Sequence, residues 1–260
     1  MAHSILVLPT WLIGVLFVVV PPAVVLAVQW GVRRRWPGLA EGDHNEVVGF
    51  IIAVVGVVYA VLLAFVVVVT WENFTAAEAV SGQEASQLRT IYRESAAFPG
   101  PTEQRLHALV REYAEDVVSL EWPAMDRGQP GDARVGAVLD QMAAEIARAP
   151  VTTANQQQLV SVQAEQLSQL VSLRSRRLDY VDLGIPAVLW VAMVVGGIVT
   201  IAFALMFGLA RAALHSVMVG SLTALIGVLF FVVVAINYPF SGGVAVQPAP
   251  FERVLSDFSR

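Results

Sequence analysis

Hydrophobic residues are concentrated in four blocks that are each long enough to cross a bilayer. A membrane-spanning helix needs about 20 consecutive, mainly apolar residues. The blocks cover residues 5–30, 47–71, 185–209 and 214–236, and none carries Asp, Glu or Arg in its interior. The pattern therefore predicts an all-α membrane protein with four transmembrane helices.

The first block is predicted to be a retained span and not a cleaved signal peptide. It ends in Trp30 and the run Arg33-Arg34-Arg35, with no basic segment before it and no small-residue cleavage site after it. Pro21 and Pro22 lie near its middle. Because proline removes a backbone donor and clashes with the preceding turn, a kink is expected there.

The polar stretch 72–184 has a helical pattern throughout, since its apolar residues recur at steps of three and four. Breaks at Pro99-Gly100-Pro101, at residues 122–131 and at Pro150 divide it into helices over about 73–97, 102–121, 132–148 and 151–182. No break separates the second span from the first of these helices. We therefore expect one helix from about Val47 to Phe98, and long helical extensions that form a stalk or vestibule outside the bilayer. A separate four-helix domain on flexible linkers is the alternative, but the chain contains no such linker.

This organisation divides the chain into four segments. Residues 1–71 and 185–237 are predicted to form the membrane part, and residues 72–184 the helical stalk domain. Residues 238–260 form a turn rich in Gly, Pro and Ser, followed by an amphipathic tail helix that is expected to pack on the stalk or at the membrane interface.

Composition narrows the possible chemistry. The chain is 57% hydrophobic and 14% charged, against about 45–50% and 25% in soluble domains, and it contains no Cys. All 16 basic residues are Arg, so lysine and thiol chemistry are both excluded. The net charge of -5 argues against nucleic-acid binding. We find no catalytic arrangement, metal site or cofactor motif, and we expect a protein that is not an enzyme.

The histidines lack the spacing of metal ligands; they are His3, His44, His107 and His215. The cluster Asp43-His44-Asn45-Glu46 fits a helix N-cap before the second span better than a cation site. Asn237 and Ser241 are predicted to cap the end of the last span. Glu112, Glu115 and Asp116 are predicted to form a solvated acidic face.

The second span carries a stripe of small residues with two aromatic neighbours. These candidates are Gly49, Ala53, Gly56, Tyr59, Ala60, Ala64 and Phe65. Such stripes allow close helix packing, and this face is alternatively the lining of a central pore. Arg174, Arg176 and Arg177 precede the third span. They are interpreted either as anchors to lipid head groups or as a basic ring that attracts anions at a vestibule mouth.

Three stretches carry a family resemblance. They are residues 56–65 (GVVYAVLLAF) continuing through Trp71 and Phe74 to Glu84-Ala85; Arg176-Arg177-Leu178 with Leu189-Trp190, Gly196-Gly197 and Phe207-Gly208; and Asn237, Tyr238, Pro239, Phe240, Ser241 and Gly242 with residues 244–246, Pro248 and Phe251. Together they resemble the bacterial bestrophin-like integral membrane family, and the Pro-Phe-Ser-Gly segment is the most specific part.

The resemblance implies a multi-pass protein of the bacterial inner membrane with an architecture similar to bestrophin anion channels, which are pentamers. It therefore implies a homo-oligomer in the lipid bilayer that conducts small inorganic anions passively. The absence of intramembrane carboxylates argues against a proton- or sodium-coupled transporter. A non-conducting scaffold or sensor whose stalk binds a partner remains the alternative.

The two arguments about membrane orientation disagree. Arg33, Arg34, Arg35 and Arg211 lie in or beside the two short loops. Because basic residues favour the cytoplasmic side of a membrane, they indicate that these loops are cytoplasmic and that the stalk is extracytoplasmic. The bestrophin resemblance, and the arginines near residue 176 on the stalk side, place the stalk in the cytoplasm. We favour the cytoplasmic stalk because the resemblance concerns the whole architecture.

Overall fold

The computed structural model describes residues 9–36, 45–209 and 211–259. Within these ranges the regular structure is helical and no strand occurs. The helices are α1 (Thr10–Arg35), α2 (Asn45–Ser95), α3 (Gly100–Asp116, extended by Val117–Glu121 and Trp122–Asp126), α4 (Ala133–Arg148), α5 (Ala154–Asp179), α6 (Ala187–Met206), α7 (Ala212–Ile236) and α8 (Ala249–Phe258).

Four of these helices, α1, α2, α6 and α7, are long and apolar enough to cross a membrane. This confirms the predicted all-α fold with four spans. The prediction that α2 continues without a break past the second span is also confirmed, because Asn45–Ser95 is a single helix of 51 residues.

The chain forms two compact units. The membrane unit comprises Met1–Glu72 and Gly184–Asn237, and the helical unit comprises Asn73–Leu183 and Tyr238–Arg260. The boundaries between them fall inside α2, between α5 and α6, and immediately after α7. The two parts of α2 therefore belong to different units.

In the membrane unit, α1 carries a local π-helical stretch, Val15–Val19, directly before its proline pair. Pro21 has no amide hydrogen, so the Phe17 carbonyl has no α-helical partner, and one wider turn accommodates the two rings. The α7 backbone passes very close to this point. A Cβ atom on Gly227 would lie 2.0 Å from the Phe17 carbonyl oxygen, so glycine is required where α1 and α7 meet.

The helical unit has a continuous apolar core built from α3, α4, α5, α8 and the second part of α2. Its fully buried side chains include Leu88, Leu106, Met142, Leu170 and Phe251. The tail helix α8 contributes Phe251, Val254 and Phe258 to this core. Of the two packing surfaces predicted for the tail, the helical domain is the one observed.

Candidate functional site

Tyr59 anchors α2 to α6 within the membrane unit. Its ring lies against Gly196 and Gly197, where an added Cβ would come within 2.5 Å and 2.9 Å of tyrosine atoms. Its hydroxyl donates to the Met193 carbonyl at 3.0 Å. A bulky aromatic residue on one helix thus fits the glycine pair on another. Of the two roles open to Tyr59, the geometry corresponds to helix packing, since the side chain is buried and points into the unit.

The opposite face of α2 is apolar and exposed within this chain. Its exposed residues are Phe50, Ala53, Val54, Val57, Val58, Ala60, Val61, Ala64, Phe65 and Val68. At about 100° per residue, Phe50, Val57, Val61 and Val68 lie along the centre of this face. The face carries no charged or polar side chain between Phe50 and Val68.

The seven candidates of the second span therefore separate into groups. Ala53, Ala60 and Ala64 lie on one edge of the exposed face, and Phe65 lies on the other edge with Val58. Gly49 and Gly56 are half-buried at the flank, where a Cβ on Gly49 would lie 3.6 Å from the Phe207 ring. Val57, Val61 and Val68, which are not among the predicted candidates, lie at the centre of the face and complete the surface.

Polar contacts join the span ends of the membrane unit. Asn45 forms a paired amide contact with Gly208, donating to its carbonyl at 2.6 Å and accepting from its N–H at 2.7 Å. Asp43, His44 and His3 lie outside the described residues. At the end of α1, Arg33 bonds to the Leu209 carbonyl and contacts Nδ1 of the buried His215 at 3.1 Å.

The helical unit contains a buried cluster of charges. Arg177 is fully buried and forms a bidentate pair with Glu84, Nε to Oε2 at 2.6 Å and Nη2 to Oε1 at 3.1 Å. The same guanidinium reaches Glu121 at 2.5 Å. Arg174 forms a second ion pair with Glu121 at 2.5 Å. Two carboxylates are thus balanced by two guanidinium groups.

Aromatic and polar groups enclose this cluster. The Arg177 guanidinium carbon lies 5.3 Å from the Trp122 ring centroid and 5.7 Å from that of Phe251, a cation–π arrangement with both rings. The hydroxyl of the fully buried Tyr113 donates to Glu84 at 2.6 Å. Glu121 lies at the end of a π-helical stretch, Val117–Glu121, that precedes Pro123.

The cluster shifts the pKa values of Glu121, Arg177 and Tyr113. Burial alone would raise the pKa of Glu121, but Arg177 and Arg174 outweigh burial and hold this pKa below its ordinary value. Burial would lower the pKa of Arg177, but Glu84 and Glu121 raise it. Burial, followed by the neighbouring Glu84 charge, raises the pKa of Tyr113 well above its ordinary value. Glu121 and Arg177 are therefore ionised at neutral pH, and Tyr113 is a neutral donor.

These contacts contradict both roles predicted for Arg174 and Arg177, namely anchoring to lipid head groups and attracting anions at a vestibule mouth. Arg177 is fully buried and Arg174 is largely buried and paired, so neither can reach a lipid head group or attract anions at a vestibule mouth. Arg176 is exposed, and its assignment remains a prediction. The predicted acidic face is also wrong at Asp116, which is buried and paired with Arg134 at 2.8 Å.

The C-terminal motif comprises residues 237–242. All of it except Asn237 belongs to the helical unit, where it forms a turn. Phe240 is buried against Trp122, with the rings edge to face at 5.5 Å. The Ser241 hydroxyl donates to the Met125 carbonyl at 3.3 Å, and the Pro239 carbonyl accepts from the Val246 N–H at 2.8 Å. Gly242 has a φ of 90°, a left-handed conformation that favours glycine.

Asn237 is the C-cap residue of α7 by position, but the side chains of Asn237 and Ser241 bond elsewhere and do not cap this helix end as predicted. Asn237, in the membrane unit, accepts from the Ile185 N–H at 3.0 Å and so holds the segment before α6 and not its own helix end. Ser241 bonds to the end of α3. Both side chains are buried, which accounts structurally for their place in the motif.

Sequence reasoning missed Glu84 and Glu121 as partners of the arginines. Helical spacing offered one signal: Glu84 lies between the buried positions Ala77, Leu88 and Ile91 on the apolar face of α2. The described residues contain no cluster of three or more His, Asp or Glu that is suited to a metal ion.

The fold and these contacts define a multi-pass α-helical membrane protein. A sequence model of the bestrophin-like domain matches residues 19–251, so the chain belongs to the bestrophin-like family. No curated protein sequence matches the chain at a significant level.

Solved structures share the fold. A variant of a bacterial bestrophin homologue from Klebsiella pneumoniae is 13% identical, with a TM-score of 0.64 over 96% of this chain and 98% of that one. Another crystal structure of a bestrophin homologue from this organism is 14% identical, with a TM-score of 0.63 over 95% and 97% of the two chains. A membrane protein variant is 14% identical, with a TM-score of 0.70 over 94% and 98%.

Proposed function

We propose that the chain assembles as a homo-oligomer, a pentamer by family resemblance, around a central passive path for small inorganic anions. The observation that carries this proposal is the exposed face of α2, which is uninterrupted and apolar from Phe50 to Val68. Membership in the bestrophin-like family supports the same function. A path of this kind needs no cofactor and no catalytic residue.

The two edges of the α2 face suit a ring. Ala53, Ala60 and Ala64 form a shallow edge, while Val58 and Phe65 form a bulky one. In a ring of head-to-tail contacts, the bulky edge of one copy packs against the shallow edge of the next. The centre of the face, with Val57, Val61 and Val68, then lines the axis.

An apolar lining of this kind works as a constriction. Narrow hydrophobic pores gate by dewetting, because water leaves a narrow apolar passage and ions cannot cross without it. Anion passage is favoured because the four spans carry no carboxylate in their apolar interiors. We place the helical unit in the cytoplasm and the protein in the bacterial inner membrane, on the basis of the family architecture.

Ion flux from liposomes tests the proposal. Purified protein should release chloride from loaded vesicles, and Val61→Thr should increase the rate by making the lining easier to wet. Val191→Thr on α6 is the matched control, because the two valines are 64% and 61% exposed in the single chain. If the vesicles remained impermeable to chloride and the protein were a dimer, the result would support the alternative, a non-conducting membrane scaffold.

Orientation has its own test. An export-dependent reporter fused after Arg260 should be inactive if the helical unit is cytoplasmic, and a cytoplasm-dependent reporter at the same position should be active. The opposite pattern would place the helical unit outside and remove that part of the proposal without affecting conduction.

A further inference from the structure

A small cavity lies between α2 and the tail helix α8 within the helical unit. Its volume is about 200 Å³, and its polar lining comes from Ser86 and Arg89 on α2 and Arg253 on α8. The α2 face that is proposed to line the ion path lies in the membrane unit, so this cavity is a separate feature of the molecule.

The two arginines have donors that the rest of the described chain does not use. Arg89 donates through Nη2 to Asp257 at 2.6 Å, but its Nε is buried and has no hydrogen-bond partner. Arg253 donates through Nε to the Ala249 carbonyl at 3.1 Å, which leaves its two terminal nitrogens available. The second terminal nitrogen of Arg89, Nη1, makes no hydrogen bond within the described chain and is available to an acceptor in the cavity.

Charge in the cavity is positive overall. Two guanidinium groups line it, and Asp257 pairs with only one of them. Guanidinium groups bind oxyanions through parallel N–H donors in a fixed fork geometry. The Ser86 hydroxyl, which is also in the lining, adds one neutral donor.

A glycine on α2 widens the cavity. Gly82 lies inside α2 and lines the cavity, and a Cβ atom there would meet nothing within 4 Å. Glycine in a helix interior is less stable than alanine by about 1 kcal/mol. Packing against neighbouring atoms does not require glycine at this position. We therefore attribute Gly82 to the open space that it leaves in the cavity.

We propose that this cavity binds a small tetrahedral oxyanion, of the size and charge of sulfate or phosphate, bridging Arg89 on α2 and Arg253 on α8. The bridge would hold the tail helix on the helical unit in addition to the contacts of Phe251, Val254 and Phe258. The inference goes beyond the proposed conduction function and does not depend on it.

Thermal unfolding of the full-length protein in detergent tests the site. Sodium sulfate, titrated against sodium chloride at equal ionic strength, should raise the Tm of the wild type saturably. Arg253→Gln should weaken the apparent sulfate affinity by about tenfold or more, as expected for loss of a charged donor. Gly82→Leu, which keeps both arginines and fills the cavity, should abolish the response.

Arg93→Gln is the matched control, since Arg93 is one turn further along α2 and does not line this cavity. It should respond to sulfate as the wild type does. An equal or unsaturable response in wild type, Arg253→Gln and Gly82→Leu would reduce the effect to an adventitious ion only and overturn the proposal. Dissociation of the oligomer by Arg253→Gln would also overturn the proposal, because it would indicate that an acidic side chain of a second copy occupies the cavity.

Discussion

The two units of the molecule bury polar groups in opposite ways. In the membrane unit, the buried hydroxyl groups of Thr70, Thr200 and Thr223 each donate to the carbonyl four residues earlier in their own helix. In the helical unit, Arg177, Glu84 and Glu121 are fully buried as ions.

The difference follows from what surrounds each unit. A charged side chain in a span must be stabilised against hydrocarbon on all sides, which is costly. In a water-exposed helical unit only the interior is apolar, and a buried charge is tolerated when it is paired and hydrogen-bonded. The membrane unit accordingly depends on close backbone approach at glycines, and the helical unit on a balanced charge cluster enclosed by aromatic rings.

The most disruptive change should be Arg177→Met. It leaves Glu84 without its cation and Glu121 with only Arg174, and breaking a buried pair in this way costs about 3–5 kcal/mol. Thermal unfolding in detergent should show a large loss of Tm. Arg176→Met changes the neighbouring exposed arginine and should have little effect; equal losses in the two variants would mean that the cluster does not stabilise the unit.

A smaller but clear loss is expected from Gly227→Ala in the membrane unit. Its Cβ would lie 2.0 Å from the Phe17 carbonyl oxygen, so α1 and α7 must separate. Overpacking of this kind costs about 1–3 kcal/mol. Gly220→Ala on the same helix is the control, because its Cβ would meet only ordinary contacts at 3.7–4.0 Å. Similar stability of both variants would contradict the close approach of α1 and α7.

Removing one hydroxyl tests the polar contacts of the membrane unit. Tyr59→Phe keeps the ring against Gly196 and Gly197 but removes the bond to the Met193 carbonyl, at a cost of about 1 kcal/mol. Ion flux should persist, because the residue is buried within the chain. If Tyr59→Phe changed conductance or anion selectivity without changing stability, Tyr59 would be a pore residue and not a packing residue.

Acid should weaken the helical unit through Glu121. The pKa of this carboxyl is lowered in the folded state, so its stabilising contribution is present above the unfolded pKa of about 4.3 and is lost as pH falls through the folded value. Unfolding measured between pH 7 and 3 should therefore be steeper in acid for the wild type than for Glu121→Gln. Parallel profiles would show that Glu121 is not held ionised by the two arginines.

The fold could be predicted from the sequence because its signals are local. The four apolar blocks exceed bilayer thickness, and the helical pattern of residues 72–95 continues the second span without Pro or a flexible linker. The sequence predicts a kink at Pro21 and Pro22 but not the π-helical stretch before them. The position of a proline indicates that the helix is disturbed but not how the helix accommodates it.

The charge cluster could not be predicted because its partners are distant in sequence. Arg177 is 93 residues from Glu84 and 56 from Glu121. Position near a span favoured a lipid-facing role for Arg177, and only the packing of α2, α3 and α5 shows that it is buried. Tyr59 illustrates the same limit, because the glycine pair that receives its ring is on another helix.

Modification of introduced cysteines tests the proposed ion path most directly, because the native chain contains no Cys. Val61→Cys on α2 and Val191→Cys on α6 are compared in planar bilayers before and after a charged, water-soluble thiol reagent is added. We expect the reagent to change the current through Val61→Cys and to leave Val191→Cys unchanged. A conducting Val61→Cys channel that the reagent labels without changing its current would contradict a path lined by α2.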